Sequence, residues 1–203
     1  MCGIVADHGS PDVDAAERML ARLVHRGPDD EGSVRVNGTW LGHRRLSIVD
    51  VAGGHQPLTA ETSSGKLHLV GNGEVYNHEE IRATLRDQSL STRSDNEVAL
   101  HLIAERGPDA LSELLGMFAF VAAGEDGTFI AARDPVGIKP LYWAEHDGHM
   151  RFASELPPPA PERSRRFGGV RPDAAAPFWA PPPPARAPPM TLTSKRRPET
   201  STA

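Results

Sequence analysis

One cysteine, two tyrosines and no long apolar run mark this 203-residue chain first by what it lacks. A lone cysteine excludes an internal disulfide framework and fits a reducing compartment. No stretch of 18 or more apolar residues occurs, so no membrane-spanning helix is expected. The N-terminus, MCGIVADHGSPD, has no basic segment and meets a charge at Asp7, which excludes a secretory signal. The expectation is a soluble cytoplasmic protein without a membrane partner. The nine histidines lack the paired spacing that zinc favours, so no metal site is expected. No glycine-rich nucleotide loop is present either.

Apolar residues make up 38 % of the chain, enough for one core of ordinary size. Charge and proline are unevenly spread. Residues 157–203 hold thirteen of the nineteen prolines, and among Val, Ile and Leu only Val170 and Leu192. That segment cannot bury enough apolar surface to offset its ordering entropy, and its composition predicts disorder. Its eight Lys/Arg against three Asp/Glu leave an acidic body with a basic tail. Such a tail can mark a nucleic-acid arm, but its aromatics are only Phe167, Phe178 and Trp179, so nucleic acid is not the expected partner.

Residues 1–156 read as one folded unit. Cys2 to Ala6 is a short apolar run suited to a buried strand. Ser10-Pro11 reads as a helix start, with Val13, Ala16, Leu20, Leu23 and Val24 at helical spacing and Gly27 as the stop. Strands at about 33–37 and 40–43 flank Asn37-Gly38, a hairpin signal. Lys66 to Val70 is a further strand. Asn77 and Glu80 have the spacing of a capping box for a helix to about Arg86. Asp95 caps a second helix ending near Gly107, and Pro108 to Leu115 suggests a third. Strands at about 117–123, 128–133, 141–145 and 149–153 complete the pattern. Strands outnumber helices and come mostly as hairpins, which predicts antiparallel sheets with helices on their outer faces, an α+β fold.

Cys2 is the candidate nucleophile. Methionine removal needs a small second residue, and cysteine qualifies. The processed chain would carry a thiol and an α-amine on one residue. The amine, with an ordinary pKa of about 8, can act as a general base near neutrality. The thiol is intrinsically nucleophilic. Taken alone, a cysteine near a terminus is more often incidental or a small buried apolar residue, and Asn72-Gly73 taken alone is more often a turn.

The segments along 1–156 add a resemblance. Met1-Cys2-Gly3-Ile4, His25-Arg26-Gly27-Pro28-Asp29, Arg45-Leu46-Ser47-Ile48-Val49-Asp50 and Gln56-Pro57-Leu58 come first. Asn72-Gly73-Glu74-Val75-Tyr76-Asn77-His78, Ser94-Asp95 and Gly116-Met117-Phe118-Ala119-Phe120 follow. Arg133-Asp134, Gly137-Ile138-Lys139-Pro140-Leu141-Tyr142 and Phe152-Ala153-Ser154-Glu155 are the last. In this order and spacing they resemble the class II glutamine amidotransferase domain of asparagine synthetases. The resemblance implies a four-layer αββα sandwich of the N-terminal-nucleophile hydrolase type. It also implies hydrolysis of L-glutamine to glutamate and ammonia through a thioester on Cys2, with Asn72 and Gly73 as the oxyanion donors. Arg45 would hold the substrate carboxylate. Asp95, Glu74 and the Val49 backbone would hold its ammonium, with Leu46 and Ile48 beside them. His25 and Arg26 are expected to be structural. His43-Arg44 departs from the family, where an acidic residue is commoner before the arginine.

The resemblance stops at Glu155 or Leu156. Complete asparagine synthetases continue into a synthetase domain that uses ATP and Mg2+, and no pyrophosphate loop of that kind is seen here. The glutaminase step itself implies no cofactor. The expectation is therefore a glutaminase domain over 1–156, truncated or served by a separate synthetase chain; the alternatives are a non-catalytic truncated fragment or an interaction module acting through the proline-rich basic tail. The tail would be a frameshifted end or a proline-rich docking arm.

Overall fold

Alternation along the strands builds the molecule. In the computed structural model, which describes residues 1–48, 50–87, 90–146, 148–156 and 190–194, ten strands form two five-stranded antiparallel sheets. The first is ordered β2-β3-β1-β9-β8, from Asp30–Val36, Thr39–Arg45, Gly3–His8, His149–Ala153 and Tyr142–His146. The second is ordered β10-β7-β6-β5-β4, from Met190–Ser194, Phe129–Arg133, Gly116–Gly124, Gly65–Val75 and Leu58–Thr62. Successive side chains of a strand point to opposite faces. Ile4, Ala6, Leu41, Val70, Ala119, Val121 and Phe129 therefore meet between the sheets, in one core cluster. Val5 and Trp40 point the other way, against Ala16 and Leu20 of α1, Val13–Ala21. Phe118 and Phe120 point outward from the second sheet, stacked at 4.8 Å, against Val98 and Leu102 of α3, Asp95–Arg106. Burying each such ring contributes roughly 1.5–3 kcal/mol. The short helix α2, His78–Arg82, and a 3-10 helix, Pro108–Glu113, share that outer face through Ile81 and Leu111. The four layers are the expected α+β sandwich.

Local signals fared unevenly. Asn37 and Gly38 both have positive φ, 37° and 73°, which suits the twist of the β2–β3 hairpin. Asp12, not Ser10, caps α1, its Oδ1 accepting from Ala15 N–H at 3.0 Å. The helix closes at Ala21, well before Gly27. Ser94, not Asp95, is the cap of α3. The Asn77 capping box does not form. Its side chain instead accepts from Leu115 N–H at 2.9 Å and donates to the Glu113 carbonyl at 3.0 Å, tying α2 to the start of β6. Strand β4 went unforeseen.

The segment expected to be disordered, 157–203, lies outside the described residues except for Met190–Ser194. That stretch corrects the expectation of disorder throughout. It pairs antiparallel with β7, Met190 opposite Arg133 and Ser194 opposite Phe129. The physical reason is local: Met-Thr-Leu-Thr-Ser is free of proline and rich in β-branched threonine, and the edge of β7 offers unpaired backbone groups. No helix among the described residues is long and apolar enough to cross a membrane.

Candidate active site

The same alternation that fills the core places the reactive side chains. Ile4, Leu41 and Val70 face inward. Counting in twos, Cys2, His43, Arg45 and Asn72 share that inward face at one end of the sheets. There Met1, Cys2, Arg45, Leu46, Ile48, Asn72, Gly73, Glu74 and Asp95 line one cavity of about 110 Å³, together with Gly54, Gln56, Ser94, Asn96 and Lys139. Every residue proposed from the sequence lies on this cavity except Val49, which is outside the described residues.

Cys2 is half-buried, with Leu46 N–H pointing at its Sγ, 3.4 Å away. Three contacts fix the backbone that carries it. Arg26 Nε donates to the Cys2 carbonyl at 2.9 Å, and Arg26 Nη1 pairs with Glu155 at 2.7 Å. Ile4 N–H donates to Ser154 Oγ at 2.9 Å. The Phe-Ala-Ser-Glu segment thus anchors the first strand from its far end. Arg26 and His25 bond Glu155 and hold its carboxyl below the ordinary range, with the Arg26 hydrogen bond the larger influence.

Asn72 and Gly73 lie within β5, opposite Ala119 and Phe118, so the pair is strand and not turn. Asn72 is 3 % exposed, and its Nδ2 has no hydrogen-bond partner among the described residues. A Cβ at Gly73 would collide with the Met117 carbonyl, so β5 approaches β6 there only because the residue is glycine. Two residues earlier lies Gly71, beyond the β4 pairing, which begins at Leu58 opposite Leu69, so Gly71 has no strand neighbour on that side among the described residues. Gln56 takes that place. Its Oε1 accepts from Gly71 N–H at 2.6 Å and its Nε2 donates to Gly71 O at 3.2 Å. His43 Nε2 also donates to Gly71 O, at 3.1 Å.

Burial pushes the His43 imidazole down from 6.5 to about 4, with Arg45 adding to the effect and the Gly71 hydrogen bond opposing it. The folded protein therefore keeps His43 neutral where the unfolded chain would bind a proton. Stability from this group is full above about pH 6.5 and is lost as the pH falls from there to 4. The shift corresponds to about 3 kcal/mol over that window. Denaturant titrations at pH 7.5 and 4.5 should show the parent losing that much more stability than His43→Gln. Equal losses would remove His43 from the account.

Arg45 is 4 % exposed. Its guanidinium donates to the carbonyls of Asp50 at 2.5 Å and Val51 at 3.2 Å, and an added Cβ at Gly54 would sit 2.7 Å from Nη2. Asp50, at a φ of 46°, links this loop to the next. Its carboxylate accepts from Gly53 N–H at 3.2 Å and Arg93 N–H at 2.8 Å, and these bonds, Arg93 first, lower its pKa. Glu97 then braces Ser91 and Thr92 through four bonds of 2.6–2.8 Å. Asp95 opens α3 behind that loop. Burial raises its pKa despite the 2.6 Å bond from Val75 N–H. A cation beside it would relieve that burial cost.

Sequence reasoning passed over Gln56, Asp50 and Asn96 as individual side chains and gave Arg26 no link to the nucleophile. Gln56, Asp50 and Arg26 lay in recognisable segments. Their roles depend on where a strand ends or which carbonyl comes near, which no local pattern encodes.

Comparison with known proteins shows the family of the chain. The family profile described as glutamine amidotransferase domain matches residues 1–165, past the boundary expected at Leu156. Asparagine synthetase [glutamine-hydrolyzing] 2 of Oryza sativa subsp. japonica is 42 % identical, covering 84 % of this chain and 32 % of that protein. The asparagine synthetase [glutamine-hydrolyzing] of Asparagus officinalis is 44 % identical, covering 77 % and 27 %. The chain thus spans about a third of the length of these relatives. Among solved structures, the glutamine phosphoribosylpyrophosphate amidotransferase from B. subtilis complexed with ADP and GMP superposes with a TM-score of 0.64 at 25 % identity, covering 75 % of this chain and 42 % of that one. The chain belongs to the glutamine amidotransferase domain family.

Proposed function

We propose that this chain hydrolyses L-glutamine to glutamate and ammonia, with Cys2 as nucleophile once Met1 is removed. The observation that carries the reading is the buried, unpartnered Asn72 Nδ2 on the same cavity as the Cys2 thiol. A buried donor without a partner costs on the order of 1–3 kcal/mol. An oxyanion forming beside it would offset that cost when the reaction needs it.

In the proposed course, the α-amine of Cys2 takes the thiol proton as Sγ bonds to the side-chain amide carbon. The carbonyl π bond opens and its oxygen becomes an oxyanion, which accepts from Asn72 Nδ2 and Gly73 N–H. Collapse breaks the C–N bond. The proton held by the amine goes to the leaving nitrogen, releasing ammonia and leaving a γ-glutamyl thioester. Water, deprotonated by the same amine, adds to the thioester and expels the thiolate. The reaction as written calls on no metal or cofactor. Arg45 pairs with the α-carboxylate, and Asp95 with Glu74 meets the ammonium. The ammonia is proposed to pass to a synthetase portion, on this chain or another. The relatives named for asparagine synthesis extend well beyond the aligned region.

Protein whose intact mass begins at Cys2 should release glutamate and ammonium one to one. With hydroxylamine present, γ-glutamyl hydroxamate should form at the expense of glutamate, because the thioester is intercepted. Correctly processed, folded protein that yields neither product would overturn the proposal.

A further inference from the structure

Two cavity-lining side chains hold a buried polar atom without a partner among the described residues. They are Asn72, through Nδ2, and Asn96, through Oδ1. The mechanism uses the first. The second has no role in it. Asn96 is the second residue of α3, directly after Asp95, and is 8 % exposed. Its backbone N–H is held by the capping Ser94 Oγ at 3.3 Å. Its side chain rests on the bare face of β5: a Cβ added at Gly71 would lie 3.4 Å from Asn96 Cγ and 2.8 Å from the Phe120 ring. The amide is therefore fixed by helix and strand, while its acceptor oxygen is unused.

The chemistry around it indicates what that oxygen would accept. Asp95 already accepts from Val75 N–H through Oδ2, and the Asn96 and Asp95 backbone N–H groups also bond its carboxylate, so part of its acceptor capacity is taken before a ligand arrives. A substrate ammonium presents three N–H donors. A second full carboxylate in this buried corner would add like-charge repulsion to the desolvation that already raises Asp95. A neutral amide oxygen supplies an acceptor without that repulsion. We infer that Asn96 Oδ1 accepts a hydrogen bond from the α-ammonium of glutamine, making Asn96 a specificity-determining residue of the site. The inference rests on the reading of this cavity as the glutamine site.

The test is calorimetric binding of L-glutamine to the full chain in a Cys2→Ala background, where binding is read without turnover. Asn96→Leu should weaken binding roughly tenfold or more, the scale of a buried hydrogen bond to a charged group. Asn96→Asp keeps an acceptor oxygen and should bind within about threefold of the parent, or tighter. In the background with Cys2 intact, Asn96→Leu should raise KM and leave kcat within about threefold, because the contact is equal in ground and transition states. A weakening in Asn96→Asp as large as in Asn96→Leu would show the amide acting as a donor, and would overturn the inference. Unchanged binding in Asn96→Leu would also overturn it, leaving Asn96 a structural residue. If Asn96→Leu does not fold, the comparison of Asn96→Asp with Asn96→Ala decides by the same sign. Failure of the parent itself to bind glutamine would appear before any change at position 96 and would sink the functional reading as well.

Discussion

Cys2→Ala should release no measurable glutamate while melting within a few degrees of the parent. Removing a catalytic nucleophile lowers turnover by a factor on the order of 10⁴ to 10⁶. The structural cost should be small. The thiol is half-buried, and its hydrogen-bond partner among the described residues is the Leu46 backbone. The strand itself is held by contacts the substitution leaves alone, Arg26 to the Cys2 carbonyl and Ser154 to Ile4 N–H. Glutamate release, followed with purified protein of verified mass, should therefore fall without loss of fold. A variant retaining even a tenth of the parent rate would require another nucleophile. No other cysteine exists to supply one.

Asn72→Ala should lower kcat by a factor of roughly 10² to 10³ with little change in KM, because the donor acts on charge that develops only in the transition state. Its stability effect separates this reading from a structural one. Asn72 Nδ2 has no partner among the described residues to lose. Deleting it removes an unsatisfied buried group and leaves a small void, two effects of opposite sign on the order of 1 kcal/mol each. Thermal melting should accordingly move little, in either direction, while turnover collapses. A variant that loses activity only in proportion to lost folded protein would place Asn72 among structural residues. Arg45 offers the contrast. It is bonded to two loop carbonyls, so its removal would disturb both loop and substrate and could not separate the two.

How far this was legible beforehand differs by element. The apolar runs of β1, β6 and β7 and the Asn37-Gly38 turn could be read directly, because buried strands and tight turns have local signatures. The caps were misassigned for a physical reason: several short polar side chains compete near each helix start, and tertiary neighbours choose among them. Asn77 illustrates this, since the 3-10 helix and the start of β6 claimed the side chain that a capping box would have used. Strand β4 was missed because Leu58–Thr62 is short, follows a proline and has only Leu58 and Ala60 as apolar positions. In the site, Cys2, Arg45, Asn72 and Asp95 came from motif order. Gln56 and Asn96 could not, because one completes a strand edge and the other crosses from a helix to a glycine.

The shared inward face has a consequence for how this sequence can change. Cys2, Arg45 and Asn72 reach one cavity because each lies an even number of residues from an inward apolar neighbour, Ile4, Leu41 and Val70. Substitutions leave that count intact. A single-residue insertion or deletion between Val70 and Asn72 would turn the asparagine toward α3 and bring a different residue into the pocket, although every side chain would still be present. Length variation should therefore be tolerated at the Asn37-Gly38 tip, and be ruinous inside β1, β3 or β5, even where composition is unchanged.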